Sequence, residues 1–188
     1  MISVGVDCDI IAGLRALMPA RRLSWAEACS IAERQAIRLL AYAMIDEPFV
    51  PSFVISALPG ISVERLAGWP TSGMTVRTAA GWQIVLSADE PMSRQRFSLA
   101  HEFKHVLDDP SIERLYRHLP KEHRHARGER FANCFAACLL MPRSWIKRDW
   151  CRGLQTLDQL TRRYAVSSEA MAIRLAELGL YHPIGRTA

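Results

Sequence analysis

The spacing of apolar positions changes several times along this chain, and each change predicts a different element. Between Ser24 and Met44, residues Ala28, Ile31, Ala32, Leu39 and Ala43 recur at helical intervals behind Ser24-Trp25-Ala26-Glu27, a capping-box pattern, and predict a supporting helix. Asp46 to Pro51 interrupts it, a short helical turn is expected over 52–58, and Pro59-Gly60 reads as a turn. From Ile61 the pattern shifts to short stretches rich in Val, Ile, Thr and Trp. These predict strands at 61–66, 73–79 and 81–87, the last two a hairpin around Ala80-Gly81, in a small antiparallel sheet. Pro91 opens a second helix that ends near Asp108-Asp109-Pro110, with Leu99, Phe103, Val106 and Leu107 as its apolar stripe. The stretch from Ser111 to Arg127 has no period and is expected to be irregular. A helix apolar almost all round beyond its first turn then runs from about Gly128 to Met141 and stops at Pro142. Three further helices are expected near 144–150, 156–164 and 168–178, with Gly179 as the final stop. The expected organisation is a lead-in over 1–22, loosely ordered or a short helix, a core over 23–142, and a helical tail over 143–188 packed on the same domain.

Composition narrows the class without naming a function. A chain of 188 residues with 49% hydrophobic content suits one globular domain with a substantial core. The formal charge of +5 is a mild bias, and the basic residues are spread rather than gathered in a tract, so contact with nucleic acid is permitted but not demanded. Five cysteines, Cys8, Cys29, Cys134, Cys138 and Cys151, form no Cys-x-x-Cys pair; reduced thiols in a cytoplasmic protein are the simplest reading. No basic signal-peptide region and no apolar run of membrane-spanning length is present, so no membrane partner is expected.

The chemistry is concentrated on the second helix, in His101-Glu102-Phe103-Lys104-His105. Residues four apart on a helix are separated by about 6 Å along the axis and share a face, so both imidazoles can reach one ion. Neutral imidazole suits Zn²⁺, with Mn²⁺ admitted by the same donors, and the adjacent Glu102 can take a proton from water as it attacks a carbonyl. Glu129, at the start of the apolar helix, is in line with Ala132, Asn133 and Ala136, whose small side chains let another helix approach. It is the candidate third ligand, because a carboxylate there needs compensating charge. The alternative is a first-turn acid favoured by the helix dipole. His118, His123 and His125 read first as a solvated connection and only second as ligands; one of them, or Tyr116, is also a candidate donor to an oxyanion. Cys134 and Cys138, four apart, are weighed as ligands against small buried hydrophobes, and the second is favoured. An extended substrate can pair with a sheet edge beside a metal, and 81–87 is the strand considered for it. In the tail, Leu157, Leu160, Val166-Ser167, Ile173, Arg174 and Leu175 outline a helix-turn-helix whose second helix offers only Arg174 as a base reader, so packing is favoured over DNA reading.

Taken together, Arg94-Gln95-Arg96-Phe97-Ser98-Leu99-Ala100-His101-Glu102-Phe103-Lys104-His105, the later Glu129-x-x-Ala132-Asn133-x-Phe135-Ala136-Ala137-x-Leu139-Leu140-Met141-Pro142, and the ending Val166-Ser167, Arg174-Leu175, Leu178-Gly179 resemble the ImmA/IrrE family of metallo-endopeptidases over about 36–181. The resemblance implies an α+β zincin-like domain, His101, His105 and Glu129 as metal ligands, and Glu102 as general base. It further implies cleavage of a protein substrate, a helix-turn-helix repressor or antitoxin-like regulator, in stress responses or mobile elements. Two departures stand out. Lys104 replaces a small residue and is expected to border the cleft, and no separate N-terminal helix-turn-helix domain is visible. The competing readings are a non-catalytic regulator that uses the metal structurally and binds DNA or a repressor, and a toxin-antitoxin component.

Overall fold

The computed structural model describes residues 10–109, 111 and 120–180. Cys8, Tyr116 and His118 lie outside the described residues, as do parts of the lead-in and tail. The described residues form eight helices and one three-stranded sheet: α1 (Ile10–Arg15), α2 (Trp25–Tyr42), α3 (Phe53–Ser56), β1 (Ile61–Leu66), β2 (Gly73–Thr78), β3 (Gly81–Ser87), α4 (Met92–Asp108), α5 (Lys121–Leu140), α6 (Arg143–Cys151), α7 (Leu157–Tyr164) and α8 (Ser168–Glu177). This is the α+β architecture expected of a zincin-like domain. The capping box forms as the sequence requires. Ser24 Oγ accepts from the Glu27 amide at 3.2 Å, and Glu27 Oε2 accepts from the Ser24 amide at 2.9 Å.

The sheet is mixed rather than antiparallel. Its order is β1-β3-β2, with β1 parallel to β3 and β2 antiparallel to it. The reason is in β3, where Ile84, Val85, Leu86 and Ser87 are buried in succession; such a run belongs at the centre of a sheet, whereas β1 and β2, more exposed along their length, take the edges. Strand β3 therefore has no free edge, and the expectation that 81–87 could receive an extended substrate is overturned. The turn that starts β3 requires glycine. Gly81 has φ +133°, and a Cβ there would lie 2.4 Å from the Gly60 carbonyl oxygen.

Helix α4 is the axis of the core, packed between the sheet and α5. Leu99, Phe103, Val106 and Leu107 are buried as their spacing predicts, and Phe103 meets Phe135 of α5 at a centroid distance of 6.2 Å. Ala132 and Ala136 are fully buried and allow that close approach. Gln95 fixes the entry to α4: its amide donates to the Glu90 carbonyl at 2.8 Å, and its oxygen accepts from Arg65 Nε at 3.0 Å. Arg96 ties α4 to distant segments, donating to the carbonyls of Val50 at 3.0 Å and Ala165 at 2.6 Å.

Two sequence expectations are corrected here. Helix α5 starts at Lys121, directly after Pro120, and not near Gly128. Its first two turns are charged and mostly exposed, so they carry no apolar period, although Lys, Glu, Arg and Ala are good helix formers. Lys104 does not border a cleft: it is fully buried on the core side of α4, with Nζ 2.5 Å from Asp108 Oδ1 and 2.8 Å from Gln35 Oε1. In line with the packing reading favoured for the tail, Arg174 is buried and donates to the Met141 carbonyl at 3.2 Å, so it is not presented to a DNA groove.

Candidate metal centre

Two helices bring the candidate ligands together. His101 and His105, one turn apart on α4, face Glu129 of α5 across the α4–α5 contact. His101 Nε2 lies 3.1 Å from His105 Nε2 and 3.3 Å from Glu129 Oε2, and His105 Nε2 lies 3.2 Å from Glu129 Oε1. Among the described residues, these three form the one group of His, Cys, Asp or Glu side chains whose donor atoms all lie within 4.8 Å of one another. Because α5 begins eight residues before Glu129, this carboxylate is not in a first turn, and the helix-dipole alternative loses its basis.

The donor set fits a divalent cation. Ligand bonds of about 2.0–2.1 Å in a tetrahedral zinc site give ligand–ligand edges of roughly 3.3 Å, and an octahedral ion with slightly longer bonds gives roughly 3.1 Å. The imidazole–imidazole edge and the shortest approach of Glu129 to each imidazole fall near that range, the two approaches using different oxygens of the carboxylate; with one atom from each residue the three donors lie within 4.8 Å, a spacing that suits a metal ion without selecting which one. Burial, then the neighbouring His101, holds His105 down to about 4, well below an ordinary histidine, and leaves its nitrogen lone pair free near neutral pH. Asn133, one turn after Glu129 on α5, completes the arrangement: its Oδ1 lies 2.9 Å from His101 Nδ1. An Nδ1–H donated to that oxygen leaves Nε2 bare and aimed at the triangle.

Glu102 sits beside this group but is held by the sheet. Thr75 Oγ1 donates to Glu102 Oε2 at 2.8 Å, and Gly73 of the same strand passes so close that a Cβ there would lie 2.9 Å from Glu102 Cγ. Burial raises the carboxyl above its usual range, opposed by the Thr75 hydrogen bond. A half-buried acid beside two imidazoles can take and return a proton.

The remaining candidates separate clearly. His123 and His125 lie on the exposed first turns of α5, not in a loop, and His125 Nε2 is 3.9 Å from Glu129 Oε1 with its side chain 79% exposed, outside the triangle. Cys134 and Cys138 are free thiols outside the His–His–Glu group; they line a cleft with Cys29 and Arg174 that shares only Asn133 with the metal triangle and its bonded neighbours. Sequence reasoning missed Thr75 and Gly73, and valued Asn133 only for its size. The four-residue step from Glu129 to Asn133 was the signal available for the latter.

Comparison with known proteins places the chain in a family and a fold. The family model Peptidase_M78, described as the IrrE N-terminal-like domain, matches residues 59–176, more than half of the chain. A solved structure of a Mycobacterium tuberculosis transcriptional regulator shares the fold, with a TM-score of 0.65 and 17% identity over 89% of this chain and 51% of the regulator. The chain thus spans about half the length of that protein. No curated protein matches it.

Proposed function

From the premise that the chain belongs to the IrrE N-terminal-like family and carries its metallopeptidase-like domain, we propose that it is a metal-dependent endopeptidase acting on a protein substrate. The observation that carries this reading is the triangle of His101, His105 and Glu129, whose donor atoms all lie within 4.8 Å of one another, flanked by Glu102. These three residues would hold the ion, with zinc as the natural occupant of a two-imidazole, one-carboxylate set and manganese admitted. An ion held there would supply Lewis acidity toward a peptide carbonyl and toward water. Glu102 accepts the proton as the water oxygen bonds to the carbonyl carbon, then delivers it to the amine nitrogen as the C–N bond breaks. Asn133 keeps His101 oriented with Nε2 toward the triangle. An extended substrate would lie along the open edge of β2, the edge strand that contacts Glu102.

The substrate class rests on the family resemblance: a helix-turn-helix repressor or an antitoxin-like regulator. The test is incubation of the metal-loaded protein with the product of the adjacent gene, followed by mass mapping. Wild type is expected to yield discrete fragments. Glu102→Gln is expected to keep metal yet lose cleavage, and His105→Ala to lose metal. Wild-type cleavage by Glu102→Gln overturns the assignment of the base. A second reading, a non-catalytic regulator, is supported by the fold shared with a transcriptional regulator. Steeply salt-dependent binding to duplex DNA without metal-dependent cleavage would favour it.

A further inference from the structure

A half-buried glutamate at the edge of a cleft still has several rotamers open to it, so something must hold the Glu102 carboxylate where water is attacked. Strand β2 supplies the restraint. Side chains alternate across a strand, so Gly73 and Thr75 share the face turned toward α4. Thr75 Oγ1 lies 2.8 Å from Glu102 Oε2 and 3.2 Å from the Glu102 backbone oxygen. Two residues earlier, a Cβ at position 73 would lie 2.9 Å from Glu102 Cγ and 3.2 Å from Oε1. One residue grips the carboxylate and the other leaves room for it.

Resting on the function proposed above, we infer that Thr75 is the positioning residue for the proton transfer and serves Glu102 in both of its protonation states. A hydroxyl has one proton to donate and lone pairs to accept with. Donating to Oε2, it fixes the carboxylate and leaves Oε1 to take the proton from water. Once Oε1 carries that proton, Oε2 is the carbonyl oxygen of the acid and still accepts from Thr75, so the same hydrogen bond holds the side chain while the proton passes from Oε1 to the amine. Without the hydroxyl, Oε2 loses its partner in both states. Gly73 is the steric half of the device, because any side chain there displaces Glu102 from Thr75.

The experiment uses the zinc-loaded full chain, a proteome-derived peptide library as probe, and the best-cleaved peptide resynthesised for kinetics. Thr75→Val keeps the β-branched shape and removes the hydroxyl. It is expected to lower kcat about 10- to 100-fold, with KM and zinc affinity, measured by chelator competition, unchanged. Thr75→Ser restores the hydroxyl and is expected to recover most of the rate, while Gly73→Ala is expected to behave like Thr75→Val. Crystal structures of the zinc-loaded variants give an independent readout: Glu102 occupies several rotamers in Thr75→Val and one in Thr75→Ser. Full kcat in Thr75→Val, or a single unchanged Glu102 rotamer in its crystal structure, overturns the inference. Glu102→Gln separates the two levels. If it cleaves as wild type does, or if wild type cleaves nothing in the library, the general-base reading fails and the crystal structures alone decide whether Thr75 holds Glu102. If Glu102→Gln is inactive while Thr75→Val is fully active, only the role of Thr75 is lost.

Discussion

Lys104 interrupts the apolar side of the helix that presents the candidate ligands, and its removal has a calculable cost. The side chain is fully buried, its Nζ is 2.5 Å from Asp108 Oδ1, and the ammonium lies 3.7 Å from the centroid of the Phe131 ring. Burial lowers Lys104 and raises Asp108, and each opposes the shift of the other through its charge and hydrogen bond. Asp108→Asn leaves an ammonium in the core with neutral partners only. Breaking one side of a buried pair costs about 3–5 kcal/mol, against a total stability of about 5–15 kcal/mol for a domain. With a urea dependence of about 2 kcal/mol per molar, the unfolding midpoint of the metal-free protein should fall by roughly 2 M. Lys104→Met should cost a similar amount by stranding Asp108. The double variant Lys104→Met with Asp108→Leu should recover most of the loss, because no charge is then stranded and only Gln35 Oε1, which accepts from Lys104 Nζ at 2.8 Å in the wild type, lacks its partner. Zinc at 100 times its dissociation constant should return about 2.7 kcal/mol to every variant that keeps the triangle. If Asp108→Asn unfolds within about 0.5 kcal/mol of wild type, Lys104 is not held in a dry core and the account of α4 packing fails.

Two other perturbations probe the metal triangle. Asn133→Ala removes the acceptor 2.9 Å from His101 Nδ1 and should weaken zinc binding about 10- to 100-fold in chelator competition, while Asn133→Asp, which keeps an acceptor, should not; equal affinity in all three proteins would dismiss Asn133 as an orienting group. In the metal-free protein, His105 is held down to about 4, against about 6.5 when unfolded, so the unfolded chain binds the extra proton between those values and stability should decline as pH falls from about 6.5 to about 4. Urea midpoints across that interval should slope more steeply for wild type than for His105→Gln, and parallel slopes would contradict the assigned shift.

How legible the site was depended on the kind of signal each residue leaves in the chain. His101 and His105 are tied by helical geometry alone, so a four-residue step sufficed. Glu129 was singled out because a carboxylate leading a long apolar run was read as buried and in need of compensation, whereas its side chain is 40% exposed and its position within α5 was misjudged. The first turns of that helix are charged and exposed, and hydrophobic period is blind to such turns. Lys104 was misplaced for the opposite reason. A long cation reads as solvent-facing by type, and its burial depends on Asp108 one turn later and on Gln35, 69 residues earlier in the chain.

Strand β2 shows where single-chain reading ends. Gly73-Met74-Thr75-Val76 alternates as a strand should, and its extent was predicted within a residue. Which of its faces meets α4 depends on β3 lying between β1 and β2, and that order follows from the unbroken buried run Ile84-Val85-Leu86. Had that run been weighed as the mark of a central strand, the sheet edge beside Glu102 would have been assigned to β2 from the outset. Thr75 and Gly73 would then have fallen on one face, two residues apart, and Met74 and Val76 on the other. The hydroxyl that reaches Glu102 and the missing side chain that makes space for it are therefore consequences of strand order. A one-residue slip in the pairing of β2 would turn both away from the helix and leave the carboxylate without either.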